Sequence, residues 1–320
     1  MKWLKKGKIF DPAQFKLLND CTEFAQSPQA LVFDEFVRVY FSTRKKDLLN
    51  GMYLSCIAYV DFDKEFNRII NVSQKTVIEL GKLGTFDEHG IFPFSPLQYN
   101  KRIMAYTCGW SRRISVSVET SVGLAYSYDN GETFTRAGEG PVLTSSLKEP
   151  VLVGDAFVQV YDDIYHMWYI FGTEWMKSDG AEPPARIYKI AHATSADGVS
   201  WKKEEGKQII SDKLNRQECQ ALPTVARIND RHHMYFCYRE ATDFRKNPKR
   251  GYKLGYAYSD DLINWTRDDS NSGLDVTAGD WDSDMMCYPH IFQCNDKVYL
   301  LYNGNEFGKF GFGLAVLDKG

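Results

Sequence analysis

An all-β fold assembled from a repeated four-stranded unit is what this sequence predicts, and three observations carry the prediction. Aromatic residues make up 14% of the 320 residues, with 19 Tyr, 20 Phe and 7 Trp, and such side chains favour strands. Short aromatic segments recur along the whole chain: VRVYFSTR (37–44), RIMAYTCGW (102–110), YHMWYIFGTEW (165–175), HMYFCYRE (233–240) and KVYLLYNGN (297–305). Their equivalent aromatics, Tyr40, Tyr106, Tyr169, Phe236 and Tyr302, stand 66, 63, 67 and 66 residues apart, the signature of a structural repeat.

Each copy has the same internal order. An apolar strand comes first, opened at Pro28, Pro93, Ala156, Pro223 and Pro289. A tight turn follows, as at Asn229-Asp230 and Asn295-Asp296, and leads into the aromatic strand. The third strand reads SCIAYVDFD, VGLAYSYD, YKIAHATSAD, KLGYAYSDD or FGLAVLD, and copies two to four add a fourth after a hairpin. Five antiparallel four-stranded units at this length predict a single-domain five-bladed β-propeller. Its blades span about 23–82, 83–145, 149–211, 216–276 and 282–318. The last copy stops after its third strand, so residues 2–11 are expected to supply its outer strand and close the ring.

Composition narrows the function. Lys and Arg number 39 against 42 Asp and Glu, a net charge of -3, which gives no global field for nucleic acid. No run of about 18 apolar residues would span a membrane. The basic start MKWLKKGK is followed by no apolar signal core, so a cytoplasmic location is expected. Seven cysteines, odd in number and without CxxC spacing, read as reduced thiols rather than disulfides or a zinc site.

Three turns share an Asp-centred pattern: SYDNGETF (127–134), SADGVSW (195–201) and SDDLINW (259–265). Asp129, Asp197 and Asp261 are read as holding their own turns' backbone, with the following aromatic packed beneath. Chemistry is expected elsewhere. In a propeller the starts of the first strands and the ends of the second converge at one mouth of the central channel. Acidic residues stand there in every copy: Glu23, Glu88, Glu218 and Asp284 five residues before the strand proline, with Glu149 and Asp155 in the third. Converging carboxylates repel, which raises at least one pKa and permits acid–base work.

Positive charge reaches the same face. Arg44 and Arg239 lie at strand ends that fix their direction, whereas the run FRKNPKRGYK (244–253) reads first as solvated surface and second as an anion clamp. Trp110, at a second-strand end, suits a sugar face. Further candidate ligand contacts are His89 beside Glu88, Glu174 and Glu240 at second-strand ends, Asp284, Tyr288 before its proline, and Asn303 in the glycine-rich stretch 303–313.

The five-fold periodicity, FDEHGIFPF (86–94), VGDAFV (153–158), ECQALPTV (218–225) and the closing stretch from MMCYPHIF (285–292) to 316 resemble the glycosidase-like five-bladed propeller superfamily. That superfamily includes glycoside hydrolase families 43, 32, 68 and 130, and the chain looks nearest to uncharacterised members from bacterial surface-polysaccharide gene clusters. The resemblance implies catalysis by carboxylates on successive blades: Glu218-Cys219 matches the acid motif of family 32, Asp155 the Asp that opens a first strand, and Asp87 or Glu88 the remaining partner. Ser27 stands where families 43 and 32 carry an Asp. Family 130 phosphorylases, with fewer carboxylates and basic residues for phosphate, are the relative that fits this departure.

Three readings follow. The first is a carbohydrate-active enzyme cleaving or transferring a glycosyl unit through Asp87, Glu88, Asp155 and Glu218. The alternative is a glycosyl or phosphoryl transferase, or a phosphorylase, using a sugar phosphate or nucleotide sugar in polysaccharide assembly. The third is a non-catalytic glycan-binding propeller. No cofactor is expected; the resemblance allows a structural cation on the axis, for which no ligand set can be read.

Overall fold

A computed structural model describes residues 1–18, 21, 23–177 and 183–318. Its regular structure is strand, with only short 3-10 turns among the described residues. No helix is long and apolar enough to cross a membrane.

The first group of strands is β2 (Gln26–Val32), β3 (Val37–Lys46), β4 (Tyr53–Phe62) and β5 (Ile69–Val72). The second is β6 (Gly90–Tyr99), β7 (Arg102–Arg112), β8 (Val118–Ser127) and β9 (Thr135–Arg136). The third is β10 (Val153–Tyr161), β11 (Ile164–Met176), β12 (Ala185–Ser195) and β13 (Lys202–Lys203). The fourth is β14 (Glu218–Ile228), β15 (Arg231–Glu240), β16 (Lys253–Ser259) and β17 (Thr266–Arg267). The last comprises β18 (Cys287–Cys294), β19 (Lys297–Asn303), β20 (Phe312–Leu317) and β1 (Trp3–Phe10).

Within every group neighbouring strands pair antiparallel in chain order, and a lone parallel pair, Ser55 with Gly90, links the first two groups. The N-terminal strand pairs with β20 from Trp3↔Leu317 to Phe10↔Phe312, as the truncated last copy requires. The first group also owns a fourth strand, β5, which the sequence pattern placed only in copies two to four. The hairpin turns expected from Asn-Asp pairs hold Asn229, Asp230 and Asn295 at positive φ, where Asn and Asp are tolerated.

Packing follows the same order. The first strands contact one another in succession, β2 on β6, β6 on β10, β10 on β14, β14 on β18, and β18 on β2. Apolar side chains fill the space between adjacent groups: Tyr40, Tyr59, Phe94 and Phe134 between the first and second, and Phe10, Phe41, Phe62 and Phe312 between the last and first. Two of the periodic aromatics also key one group to the next. Tyr40 donates its hydroxyl to the Gly131 carbonyl at 2.7 Å and Tyr106 to the Gly198 carbonyl at 2.9 Å. Both acceptors belong to Asp-centred turns of the following group. In those turns Asp129 accepts from the Thr133 amide, Asp197 from the Val199 and Ser200 amides, and Asp261 from the Ile263 and Asn264 amides. The three aspartates hold backbone, and these bonds keep the carboxyl pKa low.

A second device recurs in four groups. A buried acid at or just before the start of the first strand meets a cation on the outermost one: Asp87 with Arg136 at 2.5 Å, Glu149 with Lys203, Glu218 with Arg267 at 2.6 Å, and Asp282 with Lys5 at 2.6 Å. Each acid is 0–1% exposed. The pair therefore staples the inner edge of a sheet to its outer edge. Glu218 also accepts from the Lys213 and Leu214 amides, at 2.8 and 2.9 Å. Removing one partner of a buried pair strands the other charge, at a cost of about 3–5 kcal/mol. Arg267→Ala is therefore expected to lower unfolding free energy by about that amount in urea denaturation, whereas Arg227→Ala, which breaks the exposed pair with Asp230, changes it by less than about 1 kcal/mol.

Candidate functional site

Every first strand carries an irregularity near its start. Register shifts fall between Gln26 and Gln29, Ile91 and Phe94, Gly154 and Phe157, Ala221 and Thr224, and Cys287 and His290. Inside four of them one residue takes positive φ: Ser27 (52°), Asp155 (51°), Leu222 (49°) and Tyr288 (56°). A bulge of this kind re-aims a side chain. Of the five residues preceding Pro28, Pro93, Ala156, Pro223 and Pro289, only Asp155 is acidic; the rest are Ser27, Phe92, Leu222 and Tyr288.

Phe92, Asp155 and Tyr288 help line a cavity of about 280 Å³. Its wall also draws Arg44 and Tyr53 from the first group, Trp110 from the second, Arg186 and Tyr188 from the third, and Arg245 and Tyr252 from the fourth. Asp155 is its one carboxylate among the described residues. Leu152, Ile170 and Cys108 surround that carboxyl with apolar surface. Burial pushes its pKa up to about 7, against the opposing pull of the Arg186 charge and a hydrogen bond from the Leu222 amide. A carboxyl of this kind exchanges its proton near neutral pH.

The cations are placed by aromatic surfaces. The Arg44 guanidinium lies 4.5 Å from the Phe24 ring centre, and its Nε has no hydrogen-bond partner. Burial lowers its pKa, as does the nearby Arg245 charge, while Tyr288 opposes. Arg245 projects from the loop 244–253 over Phe244 at 4.4 Å and Phe307 at 5.6 Å. Tyr188 and Tyr252 join hydroxyls at 2.9 Å, and Arg239 donates to the Tyr188 hydroxyl at 2.7 Å. A neighbouring cavity of about 410 Å³ is lined by Trp175, Arg239 and Phe244 and shares Arg186 and Arg245 with the first.

The thirteen residues singled out in the sequence are therefore divided. Asp155, Arg44, Trp110 and Tyr288 line the cavity and Arg239 its neighbour. Asp87, Glu88 and Glu218 do not share it with Asp155. Asp87 and Glu218 are held in the buried acid–cation staples, and Glu88 accepts from the Gly84 amide at 2.9 Å. His89 stacks on Trp110 with ring centres 6.0 Å apart, its Nδ1 accepting from the Arg112 amide. Glu240 accepts from Asn215, and Glu174 and Asp284 are exposed outside both cavities. Asn303, fully buried, spends its amide on Ser27, Ala25 and Gly311 backbone. Arg186, Arg245, Tyr188 and Tyr252 are among the cavity residues outside that set; Arg245 was hidden in a charge run that otherwise reads as surface.

Among the described residues no three His, Cys, Asp or Glu side chains gather as a metal site. The orphaned polar atoms on the first strands are Gln29 Oε1, Ser95 Oγ and both ring nitrogens of His290. This neutral set brings no anionic ligand, so the residues do not fit a firmly held axial cation.

No family model matches the chain. It is 29% identical over 326 residues, covering all of both chains, to an uncharacterized protein of Mycobacterium tuberculosis, Rv1502 of strain H37Rv and MT1551 of strain CDC 1551. Solved structures of similar fold include BT0996 in complex with RGII (TM-score 0.73, 16% identity, 98% of this chain and 91% of that one). A thermostable family-43 glycoside hydrolase aligns with TM-score 0.67 at 13% identity, covering 93% and 91%. The β-1,2-mannobiose phosphorylase of Listeria innocua, in complex with β-1,2-mannobiose, aligns with TM-score 0.68 at 12% identity, covering 99% and 96%. The fold expected from the glycosidase-like resemblance is the one that these family-43 and phosphorylase structures have, and at such identities the likeness is one of fold.

Proposed function

We propose that the five sheets are the blades of one propeller domain, closed into a ring by β1, and that its axial cavity transfers a glycosyl unit between a sugar hydroxyl and a phosphate oxygen. The observation that carries this reading is the composition of the cavity: one carboxyl titrating near neutrality among several guanidiniums. Glycoside hydrolysis uses two carboxyl groups, one protonating the leaving oxygen and one attacking or activating water. With Asp87 and Glu218 occupied in staples, the cavity offers Asp155 alone. A phosphate oxygen is already an anionic nucleophile and dispenses with the second carboxylate, while arginines are suited to hold it.

In one direction protonated Asp155 gives its proton to the glycosidic oxygen as the C1–O bond breaks and a phosphate oxygen bonds to C1. In the other, ionised Asp155 takes the proton of an acceptor hydroxyl as that oxygen bonds to C1 and the phosphate leaves with the electron pair of the broken C1–O bond. Trp110 and Tyr53 supply sugar-stacking surface. Two fold relatives, a family-43 hydrolase and a mannobiose phosphorylase, support a carbohydrate ligand, the latter also a phosphate co-substrate. All seven cysteines are free thiols, which fits a reducing compartment where phosphorylated sugars occur.

Asp155→Asn is expected to lower kcat by about 10²–10⁴-fold, measured with glycosyl phosphates and free-sugar acceptors; unchanged turnover would remove the assignment. For wild type, phosphorolytic kcat/KM should fall above about pH 7 and the synthetic direction below it. A carboxyl pKa raised on folding means that the native state binds the proton more tightly, so stability declines as pH rises from the unfolded value near 4 toward 7. Asp155→Asn escapes that loss. Its Tm should exceed wild type at pH 8, with the gap narrowing as pH falls toward 4.

A further inference from the structure

Four guanidiniums surround the two adjoining cavities: Arg44 in the axial one, Arg239 in its neighbour, and Arg186 and Arg245 in the wall between them. Most arginines elsewhere have acids beside them, as Arg136 has Asp87, Arg250 has Glu240 and Arg267 has Glu218. Among the described residues none of these four lies within 4 Å of a carboxylate. Arg239 is 4% exposed, and its Nε has no hydrogen-bond partner; its other nitrogens donate to the carbonyls of Glu240 and Ala241 and to Tyr188. The cations also weigh on one another: besides burial, the Arg239 and Arg186 charges depress the Arg245 pKa. Such a cluster is unfavourable until an anion enters.

Orthophosphate or a sugar monophosphate is a single phosphoryl centre, satisfied by one or two bidentate arginines, and it ends where its charge ends. Here the shared wall has a cavity on each side. Resting on the transfer reading above, we infer that the phosphate partner is a diphosphate ester, so that the donor is a glycosyl diphosphate. Its sugar lies in the axial cavity toward Asp155, its two phosphoryl groups lie along the arginines, and its second ester group enters the side cavity against Trp175 and Phe244. The acceptor hydroxyl oxygen bonds to C1 as the C1–O bond to the diphosphate breaks. The diphosphate takes the electron pair, Asp155 takes the proton, and the guanidiniums stabilise the leaving charge.

Calorimetric titration of the full chain tests this with orthophosphate, methylenediphosphonate, UDP-glucose and a glucosyl diphosphate of a short prenyl alcohol. Methylenediphosphonate should bind at least about tenfold tighter than orthophosphate. Arg239→Gln and the exposed-loop change Arg245→Gln should each weaken it by about tenfold, and Asp155→Asn should still bind it. Equal binding of the two anions, or no effect of Arg245→Gln, overturns the inference; transfer from glycosyl monophosphates that depends on Asp155 would then leave the broader reading standing, whereas no binding of either anion removes both. Additional affinity for UDP-glucose or for the prenyl diphosphate, lost in Trp175→Ala, identifies the ester group as nucleoside or lipid. Gain from neither overturns the assignment of the side cavity.

Discussion

A four-stranded antiparallel sheet with apolar residues on both faces has no stable existence alone, and that requirement governs this molecule. Each sheet must be covered on two sides, and the only partners are its neighbours in the chain. Tyr40 and Tyr106 join the fit between groups to a hydrogen bond on the next group's turn. Aspartates at 129 and 197 shape the turns that receive them. The succession of contacts from β2 through β18 and back to β2 is the result of satisfying that demand five times, and it leaves a cavity where the first strands start.

The five buried acids near those starts divide into two populations by a few positions of chain. Those at or just before the start of the strand, Asp87, Glu149, Glu218 and Asp282, turn back toward the outer edge and are neutralised by Arg136, Lys203, Arg267 and Lys5. Of the residues inside the bulges, Phe92, Asp155 and Tyr288 reach the cavity. Only at Asp155 is that residue an acid, and burial, only partly offset by the Arg186 charge, leaves it to titrate near neutrality. Identical functional groups thus serve stability or chemistry according to the local backbone.

The repeat was legible because aromatic strands, turn pairs and strand-opening prolines recur together, and the unfinished last copy pointed to the N-terminal strand. Asp155 was legible through its place directly before the strand. The staples were not, since Glu218 and Asp87 look like catalytic acids until Arg267 and Arg136, 49 residues further on, are brought beside them. Positive φ at Asp155 and Tyr288 leaves no signal in a pattern of apolar and polar residues. Arg245 could not be told from its basic neighbours, because what separates them is the Phe244 ring beneath it.

The pairing of β1 with β20 joins residues more than 300 positions apart. During synthesis β1 is made long before β20, and until that strand emerges the hydrogen-bonding edge of β1 lacks its partner and is open to other chains. Lysines at 2, 5, 6 and 8 give that waiting edge the charge that discourages premature association. The segment that completes the sheet thus carries both a pairing edge and the charges that guard it.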